Sequence, residues 1–147
     1  MLTGTGVVAR YGNDAADVHV SGETAAVAAV YALAQPGALL ITGNTNTPWK
    51  YPDYEKHRYE ILSTLSRDHP SADDLASFIA GQSRSRSQPS FVLLTARNNN
   101  SARMFGTMPA GVLAGVQEDL RANPRFAVIY DSPQATLFKY VGPLTSP

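Results

Sequence analysis

The stretch Gly37-Ala-Leu-Leu-Ile-Thr-Gly43 decides how the chain is read. A strand with one wet face alternates apolar and polar residues; an unbroken apolar run between two glycines suits a strand covered on both faces, as in a parallel sheet. Phe91-Val-Leu-Leu-Thr95 repeats the pattern after the polar stretch from Gln82 to Pro89.

Helical signals surround these two runs. Before the first, Val27, Val30, Tyr31 and Ala34 fall at helical spacing in the alanine-rich segment Ala25 to Ala34. Ser21 or Thr24 can cap that helix, and Pro36-Gly37 stops it. Between the runs, Ser71-Ala-Asp-Asp74 is a helix start with acids where the helix dipole favours them. Leu75, Phe78 and Ile79 form its apolar face, and Gly81 ends it. After the second run, Pro109 fits a first helical turn. Val112, Leu113, Val116 and Leu120 then mark an amphipathic helix that stops at Asn123-Pro124. Phe126 to Tyr130 and Ala135 to Val141, joined by Asp131-Ser-Pro-Gln134, read as a closing β-hairpin.

The expected fold is therefore α/β: a small three-layer, Rossmann-like sheet, mainly parallel, with a C-terminal antiparallel hairpin. No internal repeat or boundary divides residues 1–147, so they read as one soluble domain. Two places stay open. Gly6-Val-Val-Ala-Arg-Tyr-Gly12 suits a strand or an ordered lead-in, with Asp17-Val-His-Val20 as a further brief strand. Residues 54–65 suit a helix by Tyr54, Ile61, Leu62 and Leu65 with Asp53 as cap, a strand by Tyr59, Ile61 and Ser63, or a helix followed by a strand.

Composition excludes several functions. Twelve basic and twelve acidic residues give a formal net charge of +0, which provides no electrostatic case for nucleic acid. The chain has no cysteine, so disulfides, thiolate nucleophiles and Cys-based zinc sites are out. No apolar run approaches the roughly 18 residues that span a bilayer, and the start lacks a basic segment followed by an apolar one. There is no Walker sequence and no Gly-x-Ser-x-Gly elbow. Gly43 stands alone after its strand, where a dinucleotide site needs three glycines. Of the histidines, His57 lies four residues from Asp53, but two ligands do not make a catalytic metal site, while His19 and His69 suit a solvent-facing strand position and a loop. No catalytic residue, metal or cofactor is expected.

Open α/β sheets bind ligands beyond the carboxyl ends of their parallel strands. One strand end releases Asn44, Thr45, Asn46 and Trp49, with Tyr51 beyond; the other releases a polar loop, Arg97-Asn-Asn-Asn-Ser101. Asn amides both donate and accept hydrogen bonds, and an aromatic face beside them suits a sugar ring or another polar small molecule. The ligand-binding candidates are thus Asn44, Asn46, Trp49, Tyr51, Arg97, Asn98 and Asn100. The plainer reading has Asn serving turns and Trp49 plugging the core. Likewise Trp49, Tyr51, Tyr54 and Tyr59 suit core packing or an interface better than an aromatic cage. Asn99-Asn-Ser101 matches the short glycosylation pattern, and Arg84 and Arg86 sit in a Ser-rich linker that reads as solvated.

The stretch Pro36-Gly-Ala-Leu-Leu-Ile-Thr-Gly-Asn-Thr-Asn-Thr-Pro-Trp-Lys-Tyr-Pro-Asp-Tyr54 resembles the soluble C-terminal tail of large actinobacterial polytopic membrane proteins. These are of the glycosyltransferase-like kind that use polyprenyl-linked sugars. Phe91-Val-Leu-Leu-Thr95 and Leu120-Arg-Ala-Asn-Pro-Arg-Phe-Ala-Val-Ile-Tyr130 extend the resemblance, which runs from about Val7 through most of the chain on loose motifs. It implies a place on the extracytoplasmic face of the cell membrane, as part of a larger membrane protein. The partners it implies are the membrane portion of that protein and a glycan or polyprenyl-linked sugar acceptor. Residues 1–12 then lead out of a transmembrane segment, and Met1 is not the natural start. Catalytic acids in such transferases lie between membrane helices, so none carries over to these residues. The expectation is an accessory domain without chemistry of its own. The alternatives are a free-standing small hydrolase or transferase acting at the strand-end loops, and a protein-interaction module.

Overall fold

The computed structural model describes residues 21–44, 47, 54–65, 70–82, 88–106 and 108–143. Calls on residues 1–20, Thr45, Asn46, Trp49, Tyr51, Asp53, His69, Arg84 and Arg86 lie outside them.

In chain order the elements are α1 (Ser21–Leu33), β1 (Leu39–Thr42), a 3-10 turn (Tyr54–Lys56), β2 (Arg58–Ile61), the single turn α2 (Leu62–Leu65), α3 (Ala72–Gly81), β3 (Ser90–Thr95), α4 (Ala96–Phe105), α5 (Val112–Ala122), β4 (Phe126–Asp131) and β5 (Ala135–Tyr140). They form an α/β fold around a five-stranded open sheet of order β2-β1-β3-β5-β4.

Both continuous apolar runs are strands, buried along their length. β1 pairs in parallel with β2 and β3, while β5 runs antiparallel to β3 and to β4. The antiparallel hairpin is where the sequence puts it. The sheet itself is mixed, with two parallel and two antiparallel ladders, because the hairpin adds as many pairings as the parallel part has.

The pleat sends alternate side chains to opposite faces. Leu40, Phe91, Leu93, Ala135 and Leu137 pack under α1 against Ala26, Val27 and Val30. Leu39, Ile41, Val92, Leu94 and Phe138 pack on the other side against Leu75 and Ile79 of α3 and Leu113, Val116 and Leu120 of α5. Neither face of β1 or β3 is wet, which is why these two runs contain no charge.

Local chemistry sets the helix ends. Ser71 caps α3: its Oγ accepts from Asp74 N–H at 3.1 Å, and the Asp74 carboxylate accepts from Ser71 N–H at 2.9 Å. Asp119 of α5 accepts from Ala72 N–H at 2.6 Å and joins the two helices. Pro109 lies ahead of α5 rather than in its first turn; Gly111, at φ 84°, is the N-cap, a left-handed conformation that glycine adopts without penalty. Residues 54–65 are mixed, but the helical turn follows the strand: a 3-10 turn, then β2, then one turn of α-helix. Every residue of edge strand β2 is half-buried, so no clear alternation marks it.

Candidate functional site

In this sheet the chain leaves β1 toward β2 on one side, and leaves β3 toward the hairpin on the other. The carboxyl ends of β1 and β3 therefore flank the point where connections diverge, which is where α/β folds open a binding crevice.

A buried polar network fills this position. Asn98, fully buried, is its centre. Asn98 Nδ2 donates to Asn44 Oδ1 at 2.8 Å and to Thr47 Oγ1 at 3.2 Å. Its Oδ1 accepts from Thr95 N–H at 3.1 Å and from Thr42 Oγ1 at 3.4 Å. Asn44 Nδ2 donates to the Asn98 carbonyl at 2.8 Å, and the Thr42 and Thr47 hydroxyls are hydrogen-bonded to one another. Two donors and two acceptor sites are all that a primary amide offers, so the Asn98 side chain is fully committed. Gly43 makes the approach feasible: a Cβ there would stand 3.0 Å from Asn98 Cβ and 3.2 Å from Leu113 Cδ1.

The segment from Arg97 to Ser101, expected as a polar loop, is instead the first half of helix α4. Asparagines favour turns, but Thr95 and Asn98 form a reciprocal capping box, with Asn98 N–H donating to Thr95 Oγ1 at 3.1 Å. Capping and the tertiary network together outweigh weak helix propensity. The glycosylation pattern at Asn99 accordingly lies within a helix.

The sequence candidates separate as follows. Asn44 and Asn98 come together in the network. Arg97 is buried too, but turns to a different partner: its Nε lies 3.3 Å from Oε2 of Glu23, in the first turn of α1, with side chains 8% and 1% exposed. Asn100 is exposed. Asn46, Trp49 and Tyr51 are outside the described residues. Glu23 was not anticipated, because one acid at the start of an alanine-rich helix reads as a solvated partner of the helix dipole.

Elsewhere, Tyr31, Tyr54, His57 and Tyr59 meet around the start of β2. Tyr54 stacks on Tyr59 with centroids 4.4 Å apart. The Tyr59 hydroxyl donates to the Tyr54 carbonyl at 2.7 Å. That commits its proton, so Tyr31 OH is the donor in the 2.7 Å bond between the Tyr31 and Tyr59 hydroxyls. Burial pushes the Tyr59 phenol above its ordinary value. His57 packs edge-on to Tyr31 at 5.3 Å. Among the described residues, no group of three His, Asp or Glu side chains could hold a metal ion, and no helix is long and apolar enough to cross a membrane. An open groove of about 590 Å³ runs along α5 beside Pro70 and Ser71, lined chiefly by small residues including Gly111 and Gly115.

No protein-family model, curated protein or solved structure matches the chain.

Proposed function

We propose that this chain is an accessory extracytoplasmic domain of a membrane-embedded, glycosyltransferase-like protein that uses polyprenyl-linked sugars. Its strand-end edge would help hold a glycan or acceptor, with no reaction of its own. The family resemblance supports the setting. The structural observation that supports the binding role is the Asn44–Asn98 pairing, which fixes Asn44 and Thr47, the described part of the first strand-end loop, against the first turn of α4. The loop that carries Asn46, Trp49 and Tyr51 thus starts from a rigid base.

Two measurements test this reading. Titration with a polyprenyl-phosphate sugar and with short glycans should give a saturable change in Trp49 fluorescence; a silent Trp49 in a folded sample removes the binding role. The gene should encode several apolar spans upstream of Gly6, and an open reading frame that starts at Met1 removes the membrane-protein setting.

A protein-interaction role has its own supporting observation. Met104 and Phe105, adjacent at the end of α4, are each 65% exposed. Exposed apolar neighbours of this kind suit a protein contact. Under this second reading, Met104→Ser with Phe105→Ser should weaken co-purification with the membrane portion; unchanged recovery argues against it.

A further inference from the structure

The Glu23–Arg97 pair is incomplete. Both carboxylate oxygens of Glu23 and Nη2 of Arg97 are buried without a hydrogen-bond partner. The 3.3 Å approach of Arg97 Nε to Glu23 Oε2 is an ion pair by distance, but it lacks hydrogen-bond geometry. Buried charges in native proteins are otherwise paired and hydrogen-bonded, because desolvation is costly, and orphaned polar atoms mark a place for water, an ion or a ligand. Three such atoms on two side chains, each more than nine-tenths buried, lie together at the strand-end edge.

The neighbouring structure frames them. Gly22 and Ala96 immediately precede the two charges. Both touch the turn between β4 and β5: Ala96 N–H donates to the Gln134 carbonyl at 2.8 Å, and a Cβ on Gly22 would stand 2.9 Å from Ser132 Oγ and closer still to the Gln134 side chain. This turn therefore lies against the residues that precede both charges.

The unpartnered atoms define the chemistry of the guest. Two carboxylate oxygens require donors, and one guanidinium N–H requires an acceptor. A cation would meet the Arg97 charge and an anion the Glu23 charge, so the pair selects against both. A neutral hydroxyl group is donor and acceptor at once. We propose that Glu23 and Arg97 form a subsite for a vicinal diol of a sugar or other polyol: two hydroxyls donate to the Glu23 carboxylate, and one of their oxygens accepts from Arg97 Nη2. The subsite rests on the proposed glycan-holding role for the ligand's wider class and assigns the residues that take its hydroxyls.

The test follows the backbone amides of Gly22 and Ala96 and the Arg97 Nε–H signal by NMR in the full chain, with myo-inositol, methyl α-D-mannopyranoside or inorganic phosphate added. Both polyols should give a saturable shift, and phosphate none. In the Glu23→Gln/Arg97→Gln double variant, which leaves neither charge buried alone, polyol affinity read from the two amides should fall about tenfold or more, as expected for lost hydrogen bonds to charged groups. Wild-type signals that stay unmoved by polyol overturn the proposal even if the double variant does not fold. A shift that survives in the folded double variant, or a crystal grown with myo-inositol that holds only water between the two side chains, also overturns it. Trp49 fluorescence in the same samples separates the two readings: a responding Trp49 with silent Gly22 and Ala96 amides leaves the loop site standing without this subsite, and the reverse leaves the subsite without the loop site.

Discussion

Two buried polar clusters sit at the same end of the sheet and are built on opposite terms. Around Asn98 every amide hydrogen and acceptor site of the central side chain has a protein partner. Around Glu23 and Arg97 two formal charges share one long contact, and three atoms have no hydrogen-bond partner. Satisfied networks rigidify and specify a fold, whereas partly satisfied ones are costly to it. The first cluster thus explains how the crevice between β1 and β3 is closed, and the second explains where a guest could complete what the protein leaves open. Adjacent residues of one helix, Arg97 and Asn98, belong to different clusters, so the shared polar strand end divides into a lock and an incompletely bonded ion pair.

The sharpest way to break this contrast is to remove one charge. Glu23→Leu strands the Arg97 guanidinium and should cost about 3–5 kcal/mol in urea unfolding. Glu23→Leu combined with Arg97→Met should return stability to the wild-type level or above, since a buried pair is often no better than an apolar substitute. A double variant as unstable as the single one would mean that the pair supports the fold. Asn98→Ala should cost about 3 kcal/mol, because it removes the acceptor of the buried Thr95 N–H together with the bonds to Asn44 and Thr47; a loss below 1 kcal/mol, on the order of a single exposed cap, would remove the lock. Gly43→Ala pushes a methyl against Asn98 and Leu113 and should cost about 1–3 kcal/mol by overpacking, with thermal unfolding as the readout. The smallest effect is electrostatic. Hydrogen bonds from Arg121 and then Thr136 hold the Asp131 carboxyl below its ordinary value, as bonds from the Ser71 backbone and hydroxyl do for Asp74. A carboxyl with a folded pKa below its unfolded one stabilises the fold above the unfolded pKa, and the contribution is lost as pH falls through the folded value. Stability should therefore decline below about pH 4, and Asp131→Asn should flatten that decline slightly; an unchanged slope would discount the Arg121–Asp131 pair.

Where burial is uniform, the sequence is legible. β1 and β3 stand out because both faces are covered, and the start of α3 because Ser71 and Asp74 cap one another within four residues. β2 is ambiguous because it is half-buried throughout at the sheet edge. The start of α4 is misread because Arg97-Asn-Asn-Asn-Ser101 has the composition of a turn, and the contacts that join the Thr95–Asn98 capping box in holding it come from Thr42, Asn44 and Thr47, about fifty residues away. The convergence of Asn44 with Asn98 follows from the strand-end rule, but the use of both amides inside the protein does not. Glu23 could not be paired with Arg97 from sequence, because local spacing carries no information about a partner 74 positions on.

The position of β5 has a consequence for how the domain is made. The last described strand, β5, is not at the border of the sheet but between β3 and β4, and it covers the edge of β3 along Phe91 to Thr95. A nascent chain that has emerged only as far as α5 presents that apolar edge unpaired, and exposed edges of this kind invite pairing with other chains. Synthesis of Ala135 to Tyr140 pairs that edge. A chain cut before Ala135 should therefore be a substrate for chaperones and proteases rather than a smaller version of the same protein.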